Sequence, residues 1–197
     1  NLRDVSKLFQ GILMVSRHKC SKPEVATRLW IHEAMRVFHD RLINAQDKRW
    51  FTELIVDLLS RNFRLSWNHE DLFEGSPIVF ANYMRPGAEE RLYEECRDMS
   101  KIVSLFDDYL EEYNLSHSNA MTLVFFQDAV EHVTRLCRVL AQPRGNAMLV
   151  GVGGSGRRGP TLVEQLEALL PDYLQGAEGI CFRVGRHPDL EKLVLRC

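Results

Sequence analysis

The chain has 197 residues, 45% hydrophobic and 26% charged, with a formal net charge of -2. That length suffices for one or two domains with real cores, and the balance excludes a disordered or fibrous polypeptide. Basic and acidic residues are interspersed, which leaves no footprint for nucleic acid, and no apolar run approaches the roughly 20 residues needed to cross a bilayer. Cys20, Cys96, Cys137, Cys181 and Cys197 are scattered and odd in number. Reduced thiols and a cytosolic compartment are expected, and the polar start shows no secretory signal.

The sequence opens in mid-element with no capping turn, as expected of a piece of something longer. From Val5 to Met14 the apolar positions Val5, Leu8, Phe9, Ile12 and Leu13 recur at three- and four-residue steps, which predicts an amphipathic helix. A polar stretch follows, and Ser21-Lys22-Pro23 is a helix start signal. The second helix is predicted from about Glu24 to Ile43, with Ile31, Ala34, Met35, Phe38 and Leu42 on its apolar face. A third is predicted from Lys48 to about Arg61, where Phe51, Leu54, Ile55, Leu58 and Leu59 keep the spacing. Cys137 falls on the apolar side of a later helix and reads as core.

Within residues 62–100, between Asn62 and Glu89, the periodicity dissolves. Gly75, Pro77, Pro86 and Gly87 punctuate it, and Ile78-Val79-Phe80 is its strand-like run, so this stretch is read as a linker. Helical patterning returns through Ile102, Leu105, Phe106, Tyr109 and Tyr113, then through Phe126, Val130, Val133, Cys137 and Leu140. A second domain is expected over 101–159. After a Gln142-Pro143-Arg144-Gly145 turn comes a predicted strand, Ala147-Met148-Leu149-Val150, then a glycine-rich loop and a helix-like Leu162 to Leu170.

That loop, Gly151-Val152-Gly153-Gly154-Ser155-Gly156, reproduces the glycine spacing of a phosphate-binding loop in the required strand-loop context. Glycines let backbone amides point inward onto an anion, and the following helix N-terminus adds its dipole. Arg157 stands where lysine belongs; it keeps the charge in a bulkier, forked form. Neither Arg158 nor Gly159 supplies a hydroxyl for magnesium. No acidic residue ends the strand-like run Ile180 to Val184, so no catalytic residue is nominated and the chain is not expected to hydrolyse ATP alone.

Other patterns carry less. His32-Glu33 with His39 misses the zinc motif HExxH because Arg36 occupies the second histidine position, and no metal site is expected. Asp107-Asp108 and Glu111-Glu112 read as a solvated helix face, and Trp30, Trp50 and Trp67 as packing residues. Ser155 has no histidine partner.

Three blocks in order carry a resemblance: Asn1-Leu2-Arg3-Asp4-Val5-Ser6-Lys7-Leu8-Phe9-Gln10-Gly11, Leu29-Trp30-Ile31-His32-Glu33-Ala34-Met35-Arg36-Val37-Phe38-His39-Asp40-Arg41-Leu42, and Gln142 through Gly156. They resemble the dynein heavy chains of cilia and flagella, over residues 1 to about 158. The resemblance implies a stretch of an ATP-driven, minus-end-directed microtubule motor built as a ring of AAA+ modules. Residues 1–61 would be the helical lid of the third module and 101–159 the start of the fourth. Arg3 would be the sensor-type arginine reaching nucleotide in the third module, whose own phosphate loop lies upstream, and these sites are regulatory in the family. ATP or ADP would be the cofactor, held weakly and without clear support for magnesium. Other ring modules would be the direct partners, with the dynein complex and microtubules reached through the parent chain. The setting implied is cytoplasm, cytoskeleton and ciliary axoneme, with neither nucleic acid nor membrane as partner.

Residues 160–197 resemble nothing in that family and read as a divergent tail. The expected fold is therefore mostly α: a helical AAA+ lid followed by a truncated α/β phosphate-loop module. The alternative is a non-catalytic helical interaction module whose glycine loop is only a turn.

Overall fold

The computed structural model describes residues 1–147, apart from 76, 89, 117, 119, 121, 144 and 146. These residues are mostly helical, with one two-stranded sheet among them. The chain divides into two compact units, Asn1–Met99 and Ser100 onward. No helix among the described residues is long and apolar enough to cross a membrane.

Helix α1 spans Leu2–Ile12 and has a cap after all. The Asn1 side chain accepts from the Asp4 amide at 3.1 Å, and the Asp4 carboxylate accepts from the Asn1 backbone nitrogen at 3.2 Å. Two orphan donors of the first turn are satisfied together. Helix α2 runs Pro23–Val37, with proline tolerated in its first turn, where no amide donor is needed. It ends six residues earlier than the periodicity predicts and gives way to a short tight turn, His39–Arg41. The reason lies ahead: Asn44 caps helix α3, Ala45–Leu58, by accepting from the Asp47 amide at 2.7 Å. A cap needs extended backbone, so the chain leaves its helical path before residue 44, and α3 starts three residues early.

Leu8, Ile31, Ala34, Val37, Ile55, Leu59 and Leu72 form the main core of this unit, with Trp30, Phe51 and Trp67 packed at its edge. Trp50 is the exception among the tryptophans, 61% exposed on α3. The predicted apolar face of α1 is likewise split: Leu8 is buried, while Val5, Phe9 and Leu13 are exposed.

The 62–100 stretch, read as a linker, folds onto the helices. A π-helical turn at Glu70–Glu74 buries Leu72, and strands β1 (Val79–Ala81) and β2 (Glu94–Cys96) pair antiparallel with Phe80 opposite Glu95. Phe80 and Tyr93 pack on Leu29 in a second core cluster, which shares Ile12 and Ile78 with the main core. Helix α2 is consequently buried nearly all round, including its polar residues His32 and Glu33. Glu33 has no solvent exposure and accepts from the Tyr93 hydroxyl at 2.8 Å, while His32 Nδ1 donates to the Ile78 carbonyl at 2.8 Å. A buried polar group is tolerated only when hydrogen-bonded, so the hairpin has one seating that serves both.

Ion pairs close the rim. Glu94 lies 2.6 Å from Lys19 and takes both Nε and Nη2 of Arg85, at 3.0 and 3.1 Å. Glu95 binds Arg28 on α2 and Arg97 beyond β2. Burial opposes ionisation of Glu94, yet the hydrogen bonds from Lys19 and Arg85 outweigh it and lower its pKa. The Cys96 thiol is pushed up to about 12, chiefly by burial, so it is unreactive. Cys20, Cys96 and Cys137 are thiols rather than disulfide partners.

In the second unit, α4 (Met99–Ser116) buries Ile102, Phe106, Leu110 and Tyr113, and α5 (Gln127–Leu140) buries Val130, Leu136, Cys137 and Val139. Asp107, Asp108, Glu111 and Glu112 are exposed, as their polarity predicts.

Two outcomes follow. Tyr93→Phe removes one donor from the buried Glu33 and should destabilise the first unit by about 1–3 kcal/mol in chemical denaturation. Because the folded-state pKa of Glu94 is lowered, its contribution is present above the ordinary glutamate range, about 4.3, and is lost as pH falls through the folded value. Denaturation at a series of pH values should therefore show stability falling on acidification, with a shallower fall in Glu94→Gln.

Candidate functional site

The elements that carry the predicted site fall in two places. Arg3 stands in the first turn of α1 and is exposed, with no hydrogen bond or ion pair to any described residue. Its neighbour Asp4 does not offset its charge. Asp4 is buried and its Oδ1 accepts from Arg41 Nη1 at 2.7 Å. The Arg41 hydrogen bond holds the Asp4 carboxyl below the usual range, with burial opposing it.

An unbalanced cation at a helix N-terminus runs against the helix dipole, by about 0.3–1 kcal/mol. Local stability does not explain Arg3. Its planar fork of donors suits bidentate contact with phosphate oxygens.

The phosphate-loop candidates Gly151, Val152, Gly153, Gly154, Ser155, Gly156 and Arg157 lie outside the described residues, as do 148–150 of the predicted strand. What leads to them is described. Helix α5 closes with Gln142 donating its amide to the Val139 carbonyl at 3.1 Å, and Gly145 donates to the Gln142 carbonyl at 2.8 Å. This is the turn expected at Gln142-Pro143-Arg144-Gly145. It requires glycine: a Cβ at residue 145 would stand 1.8 Å from the Val139 carbonyl oxygen. The backbone thus approaches the end of α5 more closely than any side chain permits.

Elsewhere the first unit has a shallow cleft lined by Glu24, Arg28, Trp67, Asp71, Leu72 and Arg97. Both arginines already bind Glu95, and the remaining charges are acidic, so the cleft does not suit a phosphate. His32 and His39 are not brought together with a third ligand; His32 is instead a buried structural group. Among the described residues no cluster of three metal-ligating side chains occurs. The sequence reading missed Asp4 and Arg41, although Asn1 with Asp4 three residues later is a legible cap signal.

Comparison with known proteins matches these two places to two models. Residues 1–70 match an AAA+ lid domain, and residues 121–170 match the P-loop containing dynein motor region D4. Human dynein axonemal heavy chain 6 is 42% identical over 163 residues, 82% of this chain. The chain belongs to the dynein heavy chain family. Human dynein axonemal heavy chain 2 is 42% identical over 174 residues, 88% of the chain, and human dynein axonemal heavy chain 3 is 37% identical over 211 residues, covering all of it. The chain spans only 4 to 5% of the length of these relatives. The AAA+ lid match thus contains Arg3, Asp4 and Arg41, and the motor-region match contains the Gly145 turn and the glycine-rich sequence 151–156.

Gly145→Ala should cost the second unit about 1–3 kcal/mol, because the turn must open to admit the new methyl group. Chemical denaturation followed in that unit checks this; a change within about 0.5 kcal/mol would show that the turn is not constrained.

Proposed function

We propose that this chain serves as a regulatory stretch of an ATP-driven, minus-end-directed microtubule motor of cilia and flagella. It would span the lid of the third AAA+ module, residues 1–61, and the start of the fourth, 101–159, with 62–100 joining them and 160–197 a divergent tail. The observation that carries the reading is Arg3: an exposed, uncompensated guanidinium in the first turn of a segment that matches an AAA+ lid. There it would reach the phosphates of nucleotide held in the preceding module.

The fourth-module loop, Gly151 to Gly156 with Arg157, would hold ATP or ADP weakly through backbone amides and one forked cation, with no hydroxyl for magnesium. With no acidic partner nominated, it has no complete hydrolytic site. Its role is to register nucleotide state next to the modules that hydrolyse. The other modules of the ring are its direct partners. Microtubules and the remaining dynein subunits are reached through the parent chain, at the axoneme.

Equilibrium binding of labelled ADP and ATP to the purified chain tests the loop. Weak, saturable binding, indifferent to magnesium and abolished by Gly156→Asp, is the expected result. Binding that survives Gly156→Asp would place the nucleotide elsewhere. No binding at all would make the loop a structural turn and favour the helical interaction-module reading.

A further inference from the structure

We infer that Asp4 and Arg41 are positioning residues for Arg3: their ion pair fixes the first turn of α1 against the turn that ends α2, and so aims the Arg3 guanidinium. The inference rests on the reading of Arg3 as a phosphate-directed group.

The first turn of a helix is held by fewer hydrogen bonds than its middle, and helix ends fray. A side chain placed there points where it should only as long as something else anchors the turn. In α1 that anchor is a single residue. Residues 1–3, 5 and 6 are exposed and Lys7 is half-buried, so Asp4 is the one buried side chain before Leu8.

Asp4 makes three ties at once. It accepts from the Asn1 backbone nitrogen at 3.2 Å, its own amide donates to the Asn1 side chain at 3.1 Å, and it accepts from Arg41 Nη1 at 2.7 Å. The first two close the cap locally. Only the third reaches another element, 37 residues away, on the turn His39–Arg41 that follows the buried helix α2.

Arg41 therefore joins the first turn of α1 to the turn that follows the buried helix α2. It also occupies the carboxylate nearest to Arg3 in sequence, which leaves the Arg3 charge uncompensated. The Arg41 side chain remains 55% exposed, so the pair contributes little to global stability, and its effect is local to the turn it holds.

The test uses the parent heavy chain containing this segment. Photolabelling by azido-ATP is titrated, and the labelled peptides are mapped so that the nucleotide site served by Arg3 is read separately. Arg3→Ala should raise the half-saturating azido-ATP concentration at that site about tenfold, the effect of losing a charged hydrogen bond. Arg41→Ala should raise it at least about threefold, yet add nothing in an Arg3→Ala background, since coupled residues are non-additive.

Arg41→Lys should restore part of the loss, and Asp4→Asn should reproduce Arg41→Ala while keeping the shape of the cap. Melting of each variant chain separates these effects from loss of the fold. Additive losses, or a silent Arg41→Ala beside an active Arg3→Ala, would overturn the positioning role and leave the Arg3 reading standing. A silent Arg3→Ala would overturn both.

Discussion

A carboxyl group with no exposure to solvent, Glu33 on α2, obliges the chain to deliver donors to it, among them the Tyr93 hydroxyl, 60 residues further on. The same seating brings the Ile78 carbonyl to His32. Because an unsatisfied buried carboxylate costs far more than a neutral group, the hairpin cannot slide or lift without losing both contacts. The ion pairs of Glu94 and Glu95 then fix the outer rim to Lys19, Arg28, Arg85 and Arg97. From this follows the unit's architecture: a largely buried helix α2 whose residues join both the helical core and the cluster under the two-stranded ribbon.

That arrangement accounts for what was and was not legible in the sequence. The helices were legible because Leu8, Ile31, Ala34, Ile55 and Phe106 sit at helical spacing and are buried. Their ends were less so: α2 stops at Val37 because Asn44 must cap α3, and a cap competes with periodicity without appearing in an apolar pattern. The hairpin was read as a linker because its second strand, Glu94–Cys96, carries two glutamates, which no alternation rule marks as a strand. Those glutamates are there for their salt-bridge partners, which lie on α2 and in loops. Likewise His32 and Glu33 resembled part of a metal motif, but their meaning lies in Ile78 and Tyr93, partners that sequence spacing does not reveal.

The functional residues divide in the same way. Arg3 was singled out only through the family resemblance, and the structure shows it exposed in the first turn of α1. Asp4 and Arg41 were not picked out, since their pairing spans 37 residues and depends on where α2 ends. The glycine loop was legible as a spacing, and the described structure reaches only the turn before it, where Gly145 is held against Val139. Both features lie within the two family matches, Arg3 in the AAA+ lid and the glycine-rich sequence in the dynein motor region D4.

Amide hydrogen exchange on the purified chain tests the central claim directly, that the 79–96 hairpin and α2 form one cooperative structure around Glu33. The account predicts that amides of β1, β2 and α2 are protected with a common opening free energy. Hairpin amides exchanging at nearly unprotected rates while α2 and α3 stay protected would contradict it, and would return residues 62–100 to the status of a linker.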